Sequence, residues 1–561
     1  MSDQQRLTIA VILSVLIVFT WQYFFAPPPP PPPSAFEQKS GTAEITPDLE
    51  EANLSQEEIV KEGFKNNTRV LINNQAVKGS INLVGARIDD LTLLQYKVHP
   101  NANDANVVLF SPSKTREVYF AEFGWISNEE NLELPNKETL WKANKASLKQ
   151  NDNISLSWTN SQNIEFIITI SLDENFMFDI KQETKNQSDK PIKIQPYSLI
   201  SRSHIESKDK NMIIHEGAIG VFNNSLKEVS FEDLSSERKL KYENNINWLG
   251  FSDKYWLAAI IPGQDQVRRG SFIAFKDGDL ERFQADIIQN TLEVKSNASA
   301  VQNVKLFAGA KKLDLLDKYQ AQYNITLFDR AVDFGILYFI TKPIFILLSY
   351  FYKMIGNFGL AILLLTVVIK LMLFPLAYKG FRGMNKLKDL QPQMQALKQK
   401  HQDDTMMFQK SIMELYKKEK VNPLAGCLPI VLQMPIFFAL YKVLYVTIEM
   451  RHAHFFGWIK DLSGADTTNI FNLFGLIPWD PPAFLHIGIL PILMAATMYI
   501  QQRLSPEPSD PMQAKVMKML PWIFMFMFST FPSGLIIYWA WSNILSIVQQ
   551  VAIKKLDTKK A

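Results

Sequence analysis

Lys370 is the only charge in the stretch Phe358–Tyr378 (FGLAILLLTVVIKLMLFPLAY), which is long enough to cross a bilayer. A charge inside such a segment is costly unless it faces water or a partner, so it marks a functional site by default. The chemistry on offer is electrostatic. A hydrated cation in a low-dielectric wall attracts anionic or polar groups that approach it. Nearby polar residues suit a wet cavity around it: Thr366 one turn away, Gln433 in the run Leu424–Val446, and Ser542 and Asn543 in the last apolar run. Plainer roles exist for each. Lys370 lies about eight residues from the basic end of its segment, roughly 12 Å deep. Snorkelling would carry its head about half that distance, so water must still come partway down. The polar side chains equally suit hydrogen bonds between helices.

No constellation for covalent or metal chemistry accompanies these residues. Cys427 is the single cysteine, which excludes a disulfide framework or a cysteine metal site within one chain, and it reads as a small core residue. His204 and His215 suit ordinary surface or turn positions. The expectation is a protein that is not an enzyme, with no cofactor, no metal and no nucleic acid read directly.

The elements that must position Lys370 follow from composition. The 561 residues carry a formal net charge of +3 and are 47% hydrophobic, but that average hides two halves. Residues 1–26 hold an apolar core, Leu7–Phe25, of 19 residues, with no A-x-A-like cleavage site; this reads as an uncleaved transmembrane anchor rather than a signal peptide. Seven prolines, Pro27–Pro33, open a stiff, then polar linker over 27–55. Residues 56–325 alternate at short period in many runs, such as Ser80–Ile88, Ile164–Ile170 and Phe176–Gln182, separated by Asn, Asp, Gly and Ser. That pattern predicts a large antiparallel β-sandwich.

The remainder is apolar. Segments 357–378, 423–447, 484–503, 516–531 and 533–553 read as spans two to six, the last two split by Phe531-Pro532-Ser533-Gly534. Loop 379–422 holds ten basic and five acidic residues, loop 448–483 two and four, and the tail 554–561 four lysines. The positive-inside rule puts 379–422, the short loop 504–515 and the tail in the cytoplasm with the N-terminus, and the β-domain and 448–483 outside. If 327–353 also spanned, the ten-cation loop would face outward. It therefore reads as an interfacial amphipathic helix. Loop 379–422 reads as a helical hairpin. Leu387, Leu390, Met394 and Leu397 recur at helical spacing, Asp403 or Asp404 caps the second helix, and Met384, Met406, Met407 and Met413 add methionine. Methionine suits a surface that accepts many partners. An ordinary hairpin packing on itself is the alternative.

Several runs carry a family resemblance: Lys370–Pro375 (KLMLFP), Val421–Pro435 (VNPLAGCLPIVLQMP), Ile436–Tyr441 (IFFALY), Asp510–Met512 (DPM) and Phe531–Tyr538 (FPSGLIIY). Together they resemble the YidC/Oxa/Alb family of membrane protein insertases over about Phe328–Lys555. Trp248–Pro262 (WLGFSDKYWLAAIIP) and Phe307–Leu315 (FAGAKKLDL) are similar to the Gram-negative version. The resemblance implies an α-helical bundle of six spans with a five-helix conserved core, plus an all-β periplasmic supersandwich, in the bacterial inner membrane with both termini cytoplasmic. It implies insertion of nascent membrane proteins through a hydrophilic inner-leaflet groove, alone or with the Sec translocon, supplied by ribosome or signal recognition particle machinery. Lys370 matches the basic groove residue of the second span, where many members carry arginine. Trp539 matches an aromatic that often faces substrate, and the methionine hairpin matches the element that recruits it. A transporter or channel with an outer receptor domain is the rival. It would usually show internal repeats or several intramembrane charges, where this reading finds one charge.

Overall fold

Alternation at period two builds the first half of the chain. In the strand Ile164–Leu172, residues Ile164, Phe166, Ile168, Ile170 and Leu172 are buried while the residues between them are partly exposed. In a strand successive side chains face opposite sides, so this pattern seats one face on a core. The computed structural model describes residues 54–100, 103–204, 214–243, 245–263, 267–277, 280–401, 404–421, 428–477, 479, 487–505 and 511–558. The expected anchor and linker, Cys427 and the end of the tail lie outside these residues.

Among the described residues the strands form two sheets. The 11-stranded sheet runs Lys239–Glu243, Val267–Asp277, Leu280–Gln289, Ile192–Ser203, Tyr119–Ile126, Arg87–Lys97, Val77–Asn82, Arg69–Asn73 and Ser147–Lys149, with Leu292–Val294 and Asn106–Phe110 on side branches. The 9-stranded sheet runs Ser225–Ser230, Gly217–Phe222, Ile246–Ser252, Trp256–Pro262, Ala298–Ala310, Met177–Asn186, Ile164–Leu172, Asn153–Thr159 and Lys142–Ala143. Neighbours are antiparallel apart from the pair Arg69–Asn73 and Ser147–Lys149. The longest ladder without a register shift pairs Met177 with Phe307 through to Asn186 with Ala298. Aromatic pairs cross between the sheets: Trp125 of the larger meets Phe166 of the smaller at 5.1 Å, and Phe272 meets Phe251 at 6.3 Å. This is a two-sheet sandwich with one shared core.

Helices α1 (Gln56–Lys65) and α2 (Phe231–Glu237) sit among the strands. From Leu313 the chain is helical: α3 (Leu313–Tyr323), α4 (Tyr338–Ile355), α5 (Phe358–Met372), α6 (Phe374–Asp389), α7 (Gln391–Lys400), α8 (Thr405–Lys418), α9 (Leu428–Val446), α10 (Ile489–Leu504), α11 (Pro511–Met527) and α12 (Ser533–Thr558). Within α12, Ser533–Lys555 is long and apolar enough to cross a membrane, and α5 with α6 passes the same test only as a pair bent by 70°.

Three readings are corrected here. The run read as one helix through Tyr378 breaks at Leu373. Pro375 has no N–H to donate to Leu371 and its ring crowds that carbonyl, so the helix turns instead of continuing. The interfacial segment is not one helix either: a 3-10 turn at Phe328–Ala331 precedes α4, which begins only at Tyr338. The segment 379–422, read as a hairpin of two helices, holds three among the described residues, because Pro392 starts a new one at Gln391; Asp404 caps α8, accepting from Met407 N at 2.9 Å.

Charged and polar contacts join the helices to one another, to the segment before α4 and to the sandwich. Lys342 of α4 reaches Asp317 at 2.8 Å and Asp329 at 2.7 Å. Lys442 of α9 reaches Asp333 at 2.8 Å, and the same carboxylate accepts from His215 N at 3.2 Å. Arg451, just past α9, donates to the Val98 carbonyl at 2.9 Å.

Candidate functional site

Lys370 occupies the last turn of α5, immediately before the bend. Asn357 fixes the other end, its side chain accepting from Leu360 N at 3.1 Å. The half-buried ammonium donates to Ser546 Oγ of α12 at 2.8 Å and to Gln433 Oε1 of α9 at 3.3 Å. Ser546 has given its own proton to the Ser542 carbonyl at 2.9 Å, so its oxygen is left to accept. Gln433 in turn donates to the Tyr538 hydroxyl. Gln549 Nε2 donates to the Lys370 carbonyl at 3.3 Å, one of the last-turn carbonyls that lack a helical partner. Three mostly apolar helices thus converge on one cation, α9 and α12 through neutral acceptors. Among the described residues no carboxylate is hydrogen-bonded to it. Such a site holds a positive charge in place without neutralising it.

The expected residues divide. Lys370 and Gln433 meet directly. Ser542 joins through its backbone carbonyl. Thr366 is buried and donates to its own helix at Ile362 O, 2.7 Å, so it does not reach the lysine. Asn543 points to α10, donating to Thr497 Oγ1 at 3.2 Å, which is the helix–helix role. Trp539 lies in an aromatic cluster, 4.7 Å from Phe437, 4.9 Å from Phe528 and 5.7 Å from Phe524. It packs on the core with one side and stays partly exposed on the other. Ser546, Tyr538 and Gln549 were missed. Their signal is spacing: Tyr538, Ser542, Ser546 and then Gln549 fall three or four apart, one helical face. Lys442 was also missed. It is a second charge inside an apolar run, and it pairs with Asp333.

The methionines divide as well. Met384 is buried beside Phe381 and Ile553, and Met394 is buried and accepts from the Tyr416 hydroxyl at 3.7 Å. Met406, Met407 and Met413 of α8 are 82%, 48% and 55% exposed. Met384 thus seats α6 against α12, Met394 serves packing within the hairpin, and the other three face outward.

Sandwich and bundle define the class: a large β-domain carried on membrane-type helices that focus one cation among neutral polar groups. The chain belongs to the YidC family. Residues 350–560 match the family described as 60Kd inner membrane protein, and residues 69–347 match the YidC periplasmic domain. The chain is 47% identical to the membrane protein insertase YidC of Rickettsia bellii, over 98% of this chain and 99% of that protein. Identity and coverage are the same for the insertase of Rickettsia akari. A solved active YidC insertase, with its first transmembrane domain resolved, aligns over 96% of this chain and 98% of its own at 17% identity and a TM-score of 0.36.

Proposed function

We propose that this chain is a membrane protein insertase, not an enzyme, which inserts and helps fold nascent inner-membrane proteins. The observation that carries the reading is the set of contacts at Lys370: an ammonium held by Ser546 and Gln433, with its charge uncompensated. In this reading the chain crosses the bacterial inner membrane six times, with five of the spans forming the working core. Both termini and helices α6–α8 are cytoplasmic, and the β-domain is periplasmic. Ten basic residues in 379–422 against two in 448–483 support that orientation. Lys370 then stands in the inner-leaflet half of a polar groove. There it attracts acidic and polar flanks of an incoming segment and lowers the cost of bringing them partway across. Exposed Met406, Met407 and Met413 suit first capture of apolar segments by flexible, polarisable side chains. The Sec translocon and ribosome or signal recognition particle machinery are the partners this job implies. The test is depletion of the chain in its host, followed by protease mapping of newly made one- and two-span proteins. Their tails should stay inside. Normal translocation of every such substrate after full depletion contradicts the proposal.

A further inference from the structure

The loop between α9 and α10 carries an apolar tip that the insertase reading leaves unused. Residues 467–477 (TTNIFNLFGLI) contain no charge. Leu476 is 82% exposed, Phe474 57% and Leu473 52%, with Phe456 and Trp458 also exposed beside this segment in the same loop. Leu473 and Phe474 both adopt left-handed backbone angles, φ of +49° and +60°. Bulky residues persist there only when their surroundings hold them. Here Phe474 N donates to Asn469 O at 2.9 Å, Ile477 N to Asn472 O at 3.1 Å, and Asn469 Oδ1 accepts from Phe471 N at 2.9 Å.

The base of the tip is tied to helix ends. Asp466 accepts from Leu490 N in the first turn of α10 at 2.8 Å and from Trp458 Nε1 at 3.2 Å. Gly464 O and Leu462 O accept from Ser533 N and Gly534 N at the start of α12, at 2.7 and 3.0 Å. The Phe455 ring lies against Gly359 at the start of α5. The loop is therefore held at the N-terminal ends of three helices, which share one end of the bundle.

We propose that this tip is a membrane foot that inserts Leu473, Phe474 and Leu476 into the outer leaflet of the bilayer beside the bundle. The inference rests on the topology proposed above, which makes that end the outer surface. Lipid is the occupant the tip fits. It sits where helices enter the hydrocarbon, and its apolar residues are flanked by Trp458, a residue type favoured at the interface. Exposed Lys460 is placed in the same loop to meet anionic headgroups. A protein partner in place of lipid is the other outcome, which the quenching test below separates. The foot would brace the outer ends of α5, α10 and α12 against tilting.

The test uses the full chain with Cys427→Ser, in vesicles of phosphatidylethanolamine and phosphatidylglycerol. A polarity-sensitive fluorophore is attached at Leu476→Cys, at Ile523→Cys on the exposed face of α11, and at Val301→Cys on the β-domain. The Leu476 probe should emit blue-shifted relative to Val301. Shallow lipid-borne spin labels should quench it strongly and aqueous iodide weakly. Quenching by iodide equal to that at Val301 overturns the foot. Shielding from both quenchers also overturns it, because that marks a protein surface. If the Ile523 probe fails to meet lipid, the topology itself falls and takes the foot with it.

Discussion

Lys370 Nζ of α5 and Ser546 Oγ of α12 lie 2.8 Å apart, joining helices whose sequence positions differ by 176 residues. The contact ties the bend after α5 to the last helix. It also leaves the lysine charged, since a hydroxyl oxygen stabilises an ammonium without taking its charge. A hydrogen bond to a charged group contributes about 1.5–3 kcal/mol.

Ser546→Ala should therefore lower the stability of the detergent-solubilised protein by about that amount, roughly 1.5–3 kcal/mol, with Ser546→Thr losing less. Insertion should persist, because the charge stays. Thermal unfolding against an insertion assay separates the two effects. Loss of insertion at unchanged stability contradicts a purely positioning role for Ser546.

Lys442 and Asp333 form a pair whose side chains are only 16% and 14% exposed. Removing one partner strands the other where water reaches it poorly, at a cost of about 3–5 kcal/mol. Lys442→Met should depress the melting point sharply. The double variant Lys442→Met with Asp333→Asn should recover most of the loss. Additive losses in that cycle contradict coupling of α9 to the segment before α4 through this pair.

Glu449 follows α9 and is half-buried, with its Oε2 atom shielded from solvent. Desolvation, with Asp314 nearby, pushes its carboxyl up to about 7 from the ordinary 4.5, against smaller opposing pulls from backbone N–H donors and Lys312. Its Oε2 accepts no hydrogen bond. A carboxyl held neutral in the fold binds its proton more tightly there than in the unfolded chain. Its stabilising contribution is complete below about 4.5 and is lost as pH rises through about 7. Melting points should fall from pH 5 to pH 8, and Glu449→Gln should flatten that slope. An unchanged slope in the variant assigns the dependence to other groups.

Orientation is open to labelling. With Cys427→Ser, a cysteine replacing exposed Lys149 on the sandwich should react with impermeant maleimide from outside intact spheroplasts. One replacing exposed Lys410 on α8 should react only after lysis. Reaction of both before lysis overturns the six-span topology.

Legibility in the sequence followed physical locality. The strand Ile164–Leu172 could be read because alternation is a property of neighbouring residues. Lys370 and Gln433 could be picked out because polarity in an apolar run is visible without a fold. Their partner Ser546 could not, because which face of α12 turns toward α5 is set by packing between distant segments. The turn at Leu373 was missed although Pro375 announced it; the unbroken apolarity around the proline outweighed it in the reading. Trp539 could be picked out by its type, but only the fold places Phe437, Phe524 and Phe528 around it and leaves it partly exposed. Lys442 was overlooked because a long apolar run hid one charge, and only the fold reveals Asp333 opposite it.

The central claim is that Lys370 works through its positive charge. Purified chain carrying Lys370→Ala, Lys370→Arg or Lys370→Glu is reconstituted in vesicles and given a one-span substrate with an acidic outer tail. Tail protection from protease is then followed over time. The account predicts near-normal insertion with Lys370→Arg, marked loss with Lys370→Ala and the deepest loss with Lys370→Glu. Simple snorkelling predicts that Lys370→Ala is tolerated, since removing an isolated charge only eases residence in the membrane. A stably folded Lys370→Ala protein that inserts this substrate at the normal rate contradicts the account.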